Sequence, residues 1–388
     1  KLDSPAVFPV EELRGRWARL QCGMAAGQLD AILLTTPADI FYVTGFLTRF
    51  WESPTRPWFV VLPRAGGPVA VIPAIGAELM ARAPVAEIRS WDAPNPEDDG
   101  VSLLAGTLCE LVPEGGRIGL PMGAETHLRM PLADHARVAG AIGRRGFADA
   151  TREMRRVREI KSEREVDRLR ESCAIAGRAF ARLPEILSVG QPLSAVFRGF
   201  QVALLEQGAD WVAYLAGGAG PGGYGDVISP ADDRPLAAGD VLMLDTGAVR
   251  GGYFCDFDRN FAVGHADAGA QRAHAALHEA TEAALGGLVP GMRATDVHRL
   301  LRDSLLSAGM TPLGGRLGHG VGVALTEWPS FTETDETVLR EGMVLAVEPG
   351  VEIAPGRIMV HEENLVLRAD GCELLSPRAP AELPVIGA

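Results

Sequence analysis

The amino-acid sequence predicts an α/β (α+β) protein of two domains: a smaller amino-terminal one on a mixed sheet, and a larger carboxy-terminal one in which antiparallel ribbons carry the chemistry between helices. Three observations carry that expectation. Helix and strand patterns alternate through the first half, strands paired around glycine turns mark the second, and one densely charged segment stands between them. A length of 388 residues suits two domains better than one.

Residues 11–27 carry apolar side chains at helical spacing, and 30–35 (DAILLT) and 58–62 (WFVVL) read as buried strands separated by turn signals at Pro37 and Pro57. Further strands are expected at 69–72 and 117–120, with Gly115-Gly116 in the loop between them. The block 151–171 (TREMRRVREIKSEREVDRLRE) sets acids and bases at i, i+3 and i, i+4, the pattern of a solvated helical face. The domain boundary is expected just before it, giving domains 1–150 and 151–388. Helices follow at 174–187, 193–207, 268–288 and 294–308, the last closed by Gly309. A glycine-rich loop at 217–225 lacks the GxxxxGK spacing that cradles phosphate.

Composition narrows the function. With 47% hydrophobic and 22% charged residues the chain reads as globular, and its apolar runs are too short to cross a bilayer, so no membrane partner is expected. A net charge of -13, with basic residues massed only in the charged helix, argues against nucleic acid. The five cysteines form no CxxC pair and read as reduced thiols rather than disulfides or a thiolate zinc site. Residues 1–10 lack the features of a secretory signal, so a cytoplasmic location is expected.

The chemistry is expected on two hairpins. Residues 240–264 read as strands around an Arg250-Gly251 turn, which sets Asp245 and Asp256 opposite each other, with Asp258 on the same face by the period of two. Residues 344–367 read as strands around a three-residue turn, Ala354-Pro355-Gly356, with Glu348 facing Glu362. Acids opposed on otherwise apolar strands destabilise a sheet unless a cation lies between them. Between the hairpins, His319 sits between glycines that allow close approach to a ligand. Four carboxylates and one imidazole describe a site for two divalent ions, manganese, cobalt, zinc or iron, that activate water and polarise a carbonyl.

These residues resemble the pita-bread metallopeptidases, the family of methionine aminopeptidase, Xaa-Pro aminopeptidase, prolidase and creatinase. The resemblance rests on Asp245, Gly252-Tyr253, Asp256, Gly318-His319-Gly320, Glu348-Pro349-Gly350 and Glu362 in that order, and on Tyr42-Val43-Thr44-Gly45-Phe46 for the two-domain creatinase and prolidase branch. It implies a creatinase-like amino-terminal domain, a pita-bread catalytic domain with a curved antiparallel sheet, metal ligands at the five named positions, and a homodimer. The departures are specific. Val227 and Ile228 occupy the stretch where peptidases of the family carry a substrate histidine; Thr326 stands where a second histidine precedes Glu327; Val360 replaces a polar residue; and Asp258 replaces a threonine.

The expected function is therefore hydrolysis of an amide-type C-N bond in a small peptide or modified amino acid, in the manner of an Xaa-Pro dipeptidase or aminopeptidase, with metal-activated hydroxide as nucleophile. Glu348 is the expected proton shuttle. Thr326, Glu327, His361 and Asp258 are candidates for catalytic or substrate contacts, each with an equally ready structural role as turn cap, surface charge, strand-edge histidine or ion pair. Arg49 and Trp51 are expected to border the active site, where guanidinium and indole suit a carboxylate or a stacked ligand. The alternatives are a metal-dependent lyase or small-molecule amidohydrolase of the same family, and a catalytically silent binding module.

Overall fold

The computed structural model describes residues 8–53 and 56–387. The chain divides into two units, 1–158 and 159–388.

In the first unit six strands form one mixed sheet in the order Glu87–Trp91, Val69–Pro73, Phe59–Pro63, Ala31–Leu34, Arg117–Leu120, Gly146–Asp149. Ala31–Leu34 lies at its centre, antiparallel to Phe59–Pro63 and parallel to Arg117–Leu120, and is buried throughout because helices cover both faces. Leu33, Val61, Val71 and Ile118 pack on Leu104, Leu108 and Val138 of the helices Val101–Leu111 and Leu132–Ala141. Thr36 caps the helix Pro37–Thr44 through the Asp39 amide, and Gly45, at φ 73°, ends it in the left-handed conformation that glycine adopts without strain.

The charged block departs from the expected single exposed helix. It forms two, Thr151–Glu159 and Glu163–Ala181, the second opened by a capping box between Ser162 and Glu165. Several of its charges are buried because each meets a specific partner. Arg158 binds Asp39 at 2.8 Å, Lys161 binds Glu327 at 3.0 Å, and Glu165 accepts the Tyr253 hydroxyl at 2.9 Å. The helix expected at 174–187 is the end of the second of these, followed by a separate turn Leu183–Ile186 with Pro184 in its first turn, where the missing amide costs nothing.

In the second unit one sheet runs Val385–Ile386, Phe257–Val263, Asp240–Arg250, Trp211–Pro221, and a second runs Glu327–Ser330, Gly318–Gly320, Val344–Val347, Glu363–Arg368, Gly371–Leu374. Pairing is antiparallel except at the short Val385–Ile386 edge. Leu277 and Ala280 of helix Ala268–Gly287 and Val297 and Leu301 of helix Ala294–Ser307 pack against Val241, Met243, Leu345 and Leu365. The stretch expected as a glycine-rich loop is, over 217–221, the end of a strand; a side chain on Gly217 would stand 2.1 Å from the Met243 carbonyl.

Both hairpins form, with turns that differ from the expected ones. In the first, Arg250 pairs with Tyr253, and Gly251-Gly252 makes the turn with φ 58° and 83°. A two-residue turn of this hand needs positive φ at both positions, which Gly-Gly supplies and Arg250-Gly251 does not. The turn moves by one residue and the register therefore by two: Asp245 lies opposite Asp258, not Asp256. In the second, Pro355-Gly356 makes a two-residue turn beside a bulge at Glu352/Ala354. The extra residue of the bulge keeps the register, with Gly350 opposite Val360 and Val347 opposite Glu363, so Glu348 and Glu362 lie across from each other.

Candidate metal centre

The two hairpins deliver their acids to one place. Asp256, His319 and Glu362 each offer a ligand atom, all within 4.8 Å of one another and all buried. His319 Nε2 lies 3.3 Å from Asp256 Oδ2 and 4.0 Å from Glu362 Oε1. Its Nδ1 is 2.8 Å from the Gly320 carbonyl and donates to it, so that in the neutral imidazole the lone pair is on Nε2, facing the acids. The flanking glycines are required by packing: a side chain on Gly318 would stand 2.3 Å from the Ala346 carbonyl, and one on Gly320 would stand 2.1 Å from that of Trp328.

Burial is severe for carboxylates. Asp245 is 8% exposed, Asp256 4% and Glu362 1%, and Asp245 Oδ1 and Glu362 Oε1 have no hydrogen-bond partner. Burial raises the Asp245, Asp256 and Glu362 carboxyls well above the carboxylate range, and their mutual repulsion adds to it. Glu348 is also raised by burial, with His319 and Arg316 pulling the other way, and it alone of the four acids is only half-buried. Converging buried acids beside an imidazole whose Nε2 faces them are the donor set of a hard or borderline dication, so the residues fit the metals expected of them.

The sequence profile of metallopeptidase family M24 matches residues 167–369, and that of the creatinase/prolidase N-terminal domain matches residues 16–160. This chain belongs to metallopeptidase family M24. Over 383 residues it is 30% identical to a Mycobacterium tuberculosis protein named "Probable dipeptidase PepE", covering 98% of each chain. It is 26% identical to the Xaa-Pro dipeptidase of Pyrococcus horikoshii over 91% of this chain and 94% of that protein. The crystal structure of dipeptidase PepE from Mycobacterium ulcerans superposes with a TM-score of 0.83 at 27% identity, over 98% of this chain and 99% of that one. The fold is thus that of a creatinase-like amino-terminal domain followed by an M24 domain, and the protein is a metallohydrolase.

In this M24 chain Thr326, Glu327 and His361 lie outside the group formed by Asp256, His319 and Glu362. Thr326 is exposed, while Glu327 is buried and binds Lys161 at 3.0 Å and the Ala324 amide at 3.2 Å. His361 lies in the link between the strands Arg357–Val360 and Glu363–Arg368 and is buried. There its Nε2 accepts from Arg378 at 2.8 Å, and burial pushes the imidazole down to about 4. A cavity of about 240 Å³ adjoins it, lined by His274, Arg259 and Asn260. Arg49 and Trp51 belong to the first unit. Arg49 pairs with Glu52 at 3.2 Å on the surface, and Trp51 packs against Trp58 with ring centroids 5.3 Å apart.

Two residues near the acids carry no spacing signal in the sequence. The Tyr214 hydroxyl donates to the Val227 carbonyl at 3.5 Å and lies close enough to Asp245 to lower that acid, and burial together with the surrounding acids raises its own pKa above the usual tyrosine value. Its only trace is a tyrosine in a strand rich in glycine and alanine. Arg316 is exposed on the loop before His319, lines a cleft of about 570 Å³ with His298 and Arg302, and lowers Asp256 and Glu348 through its charge.

Proposed function

We propose that this protein hydrolyses the amide bond of a short peptide, an Xaa-Pro dipeptide or a close analogue, at a centre in which Asp245, Asp256, His319, Glu348 and Glu362 hold two divalent cations. The observation that carries the reading is the group of Asp256, His319 and Glu362, within 4.8 Å of one another and buried, with Nε2 of the imidazole turned toward the acids. The dipeptidase names of relatives that match nearly the full chain support the substrate class. When bound, the cations would lower the pKa of a shared water and polarise the scissile carbonyl.

The other roles fall to the chain. Glu348, half-buried where its neighbours are sealed, is placed to carry a proton between the reacting atoms and solvent, and burial keeps its proton affinity high enough for that task. Thr326 offers an exposed hydroxyl to the substrate. Glu327, anchored by Lys161, fixes the loop that presents Thr326. His361 is a positioning residue, holding from behind the backbone that carries Glu362. Arg49 and Trp51 are the proposed contacts for the substrate's free carboxylate or side chain.

The test is turnover of Xaa-Pro and non-proline dipeptides after addition of manganese, cobalt or zinc to protein stripped by chelator. Metal-dependent release of free amino acids is expected, abolished again by chelator. Folded protein that cleaves no dipeptide with any of these ions contradicts the proposal.

A further inference from the structure

Asp258 has the strongest unmet demand of any acid in the second unit. It is 1% exposed, and neither of its carboxylate oxygens has a hydrogen-bond partner. Its register partner is Asp245, whose Oδ1 is likewise unpartnered. Directly opposed residues of an antiparallel pair share one face, with Cβ atoms roughly 4.5 to 5.5 Å apart, so the two carboxylates confront each other. Among the described residues, no basic side chain forms an ion pair with either carboxylate. Arg259, the next residue, points to the other face, where it binds the Asp258 and Glu362 carbonyls and reaches the Glu363 carboxylate at 2.9 Å.

We propose, resting on the reading of the centre given above, that Asp258 is a sixth side chain of that centre, binding a dication on the Asp245 side and biasing the site toward hard, oxygen-seeking ions such as Mn2+. An isolated buried carboxylate is costly, and an opposed pair more so, unless a cation is held between them. Adding carboxylates to a site raises its affinity for hard ions and favours Mn2+ relative to softer competitors. Asp258 is too deeply enclosed to greet a substrate at the surface, whereas a desolvated ion held between two strands meets it directly.

The experiment titrates chelator-stripped wild type, Asp258→Asn and Asp258→Thr with Mn2+ and with Zn2+, counting bound Mn2+ by electron paramagnetic resonance. Asparagine keeps the size and a hydrogen-bond donor, so it would preserve a role played by a neutral acid. The proposal expects both variants to lose Mn2+ affinity by at least about tenfold, and Zn2+ affinity by less. Unchanged Mn2+ affinity in both variants overturns it while leaving the five-residue centre intact. Wild type that binds no dication sinks the centre itself, and this inference with it. Should neither variant fold, the Mn2+-loaded wild type decides by crystallography: an Asp258 oxygen about 2.2 Å from an ion upholds the proposal, and a carboxylate turned away from every ion overturns it.

Discussion

Asn364 shows how a residue outside the proposed ligand set holds two of its acid-bearing segments together. Its Oδ1 accepts from the Asp256 amide at 2.8 Å and its Nδ2 donates to the Asp256 carbonyl at 2.5 Å, so one side chain bonds both backbone groups of a proposed ligand. Asn364 itself lies on the strand Glu363–Arg368 that follows Glu362, and the two acid-bearing ribbons are thereby joined. Asn364→Ala leaves two buried backbone groups unsatisfied at about 1 to 3 kcal/mol each. Denaturant unfolding is expected to show a loss of roughly 2 to 6 kcal/mol, and a loss well below about 1 kcal/mol contradicts that account. The acids were legible in the sequence because a charge on an apolar strand is conspicuous and its spacing repeats. Asn364, Tyr214 and Arg316 were not, since a polar residue that serves one distant backbone group or one distant acid leaves no periodic trace.

At the scale of elements, the hairpins were legible and their registers only in part. The Pro355-Gly356 ribbon kept the expected opposition of Glu348 and Glu362 because a bulge compensated for the shorter turn. The Gly251-Gly252 ribbon did not, because Gly-Gly takes both positive-φ positions and moves Asp258 rather than Asp256 opposite Asp245. The charged block was misread for a related reason: charge spacing predicts which residues neighbour each other on a helix, but not which of them find distant partners. Lys161 and Glu327 are 166 residues apart and both buried. Breaking one half of such a pair leaves an uncompensated buried charge, so Lys161→Met is expected to cost about 3 to 5 kcal/mol. A loss under about 1 kcal/mol by chemical denaturation would mean that Glu327 is held by its backbone contact instead.

At the scale of the whole molecule, the two-unit plan and the M24 fold were readable from alternation, hairpin spacing and the ordered acid motif. The proposed roles of Arg49 and Trp51 rest on an aromatic and basic cluster, which looks alike in sequence whether it packs a core or faces a ligand. The centre's acids also set how stability responds to pH. Burial raises the proton affinity of Asp245, Asp256, Asp258 and Glu362 on folding, so without cations the folded state binds more protons than the unfolded one from about pH 4 upward, and stability falls as pH rises through that window. Behind the ribbon the sign reverses. Burial holds His361 neutral down to about 4, so its contribution is lost as pH falls below the ordinary histidine value; Glu363, held low by Arg259 against the opposing effect of burial, loses its contribution in stronger acid.

Cations replace protons among the acids, so binding should tighten and stabilise more as pH rises. The most direct measurement is therefore a Mn2+ titration of chelator-stripped protein at pH 5.5 and pH 8, with bound ions counted and the melting temperature followed. About two ions per chain are expected, bound more tightly at pH 8 and giving there the larger rise in melting temperature. No bound ion at either pH, or a melting temperature indifferent to both Mn2+ and pH, contradicts a centre built from buried acids.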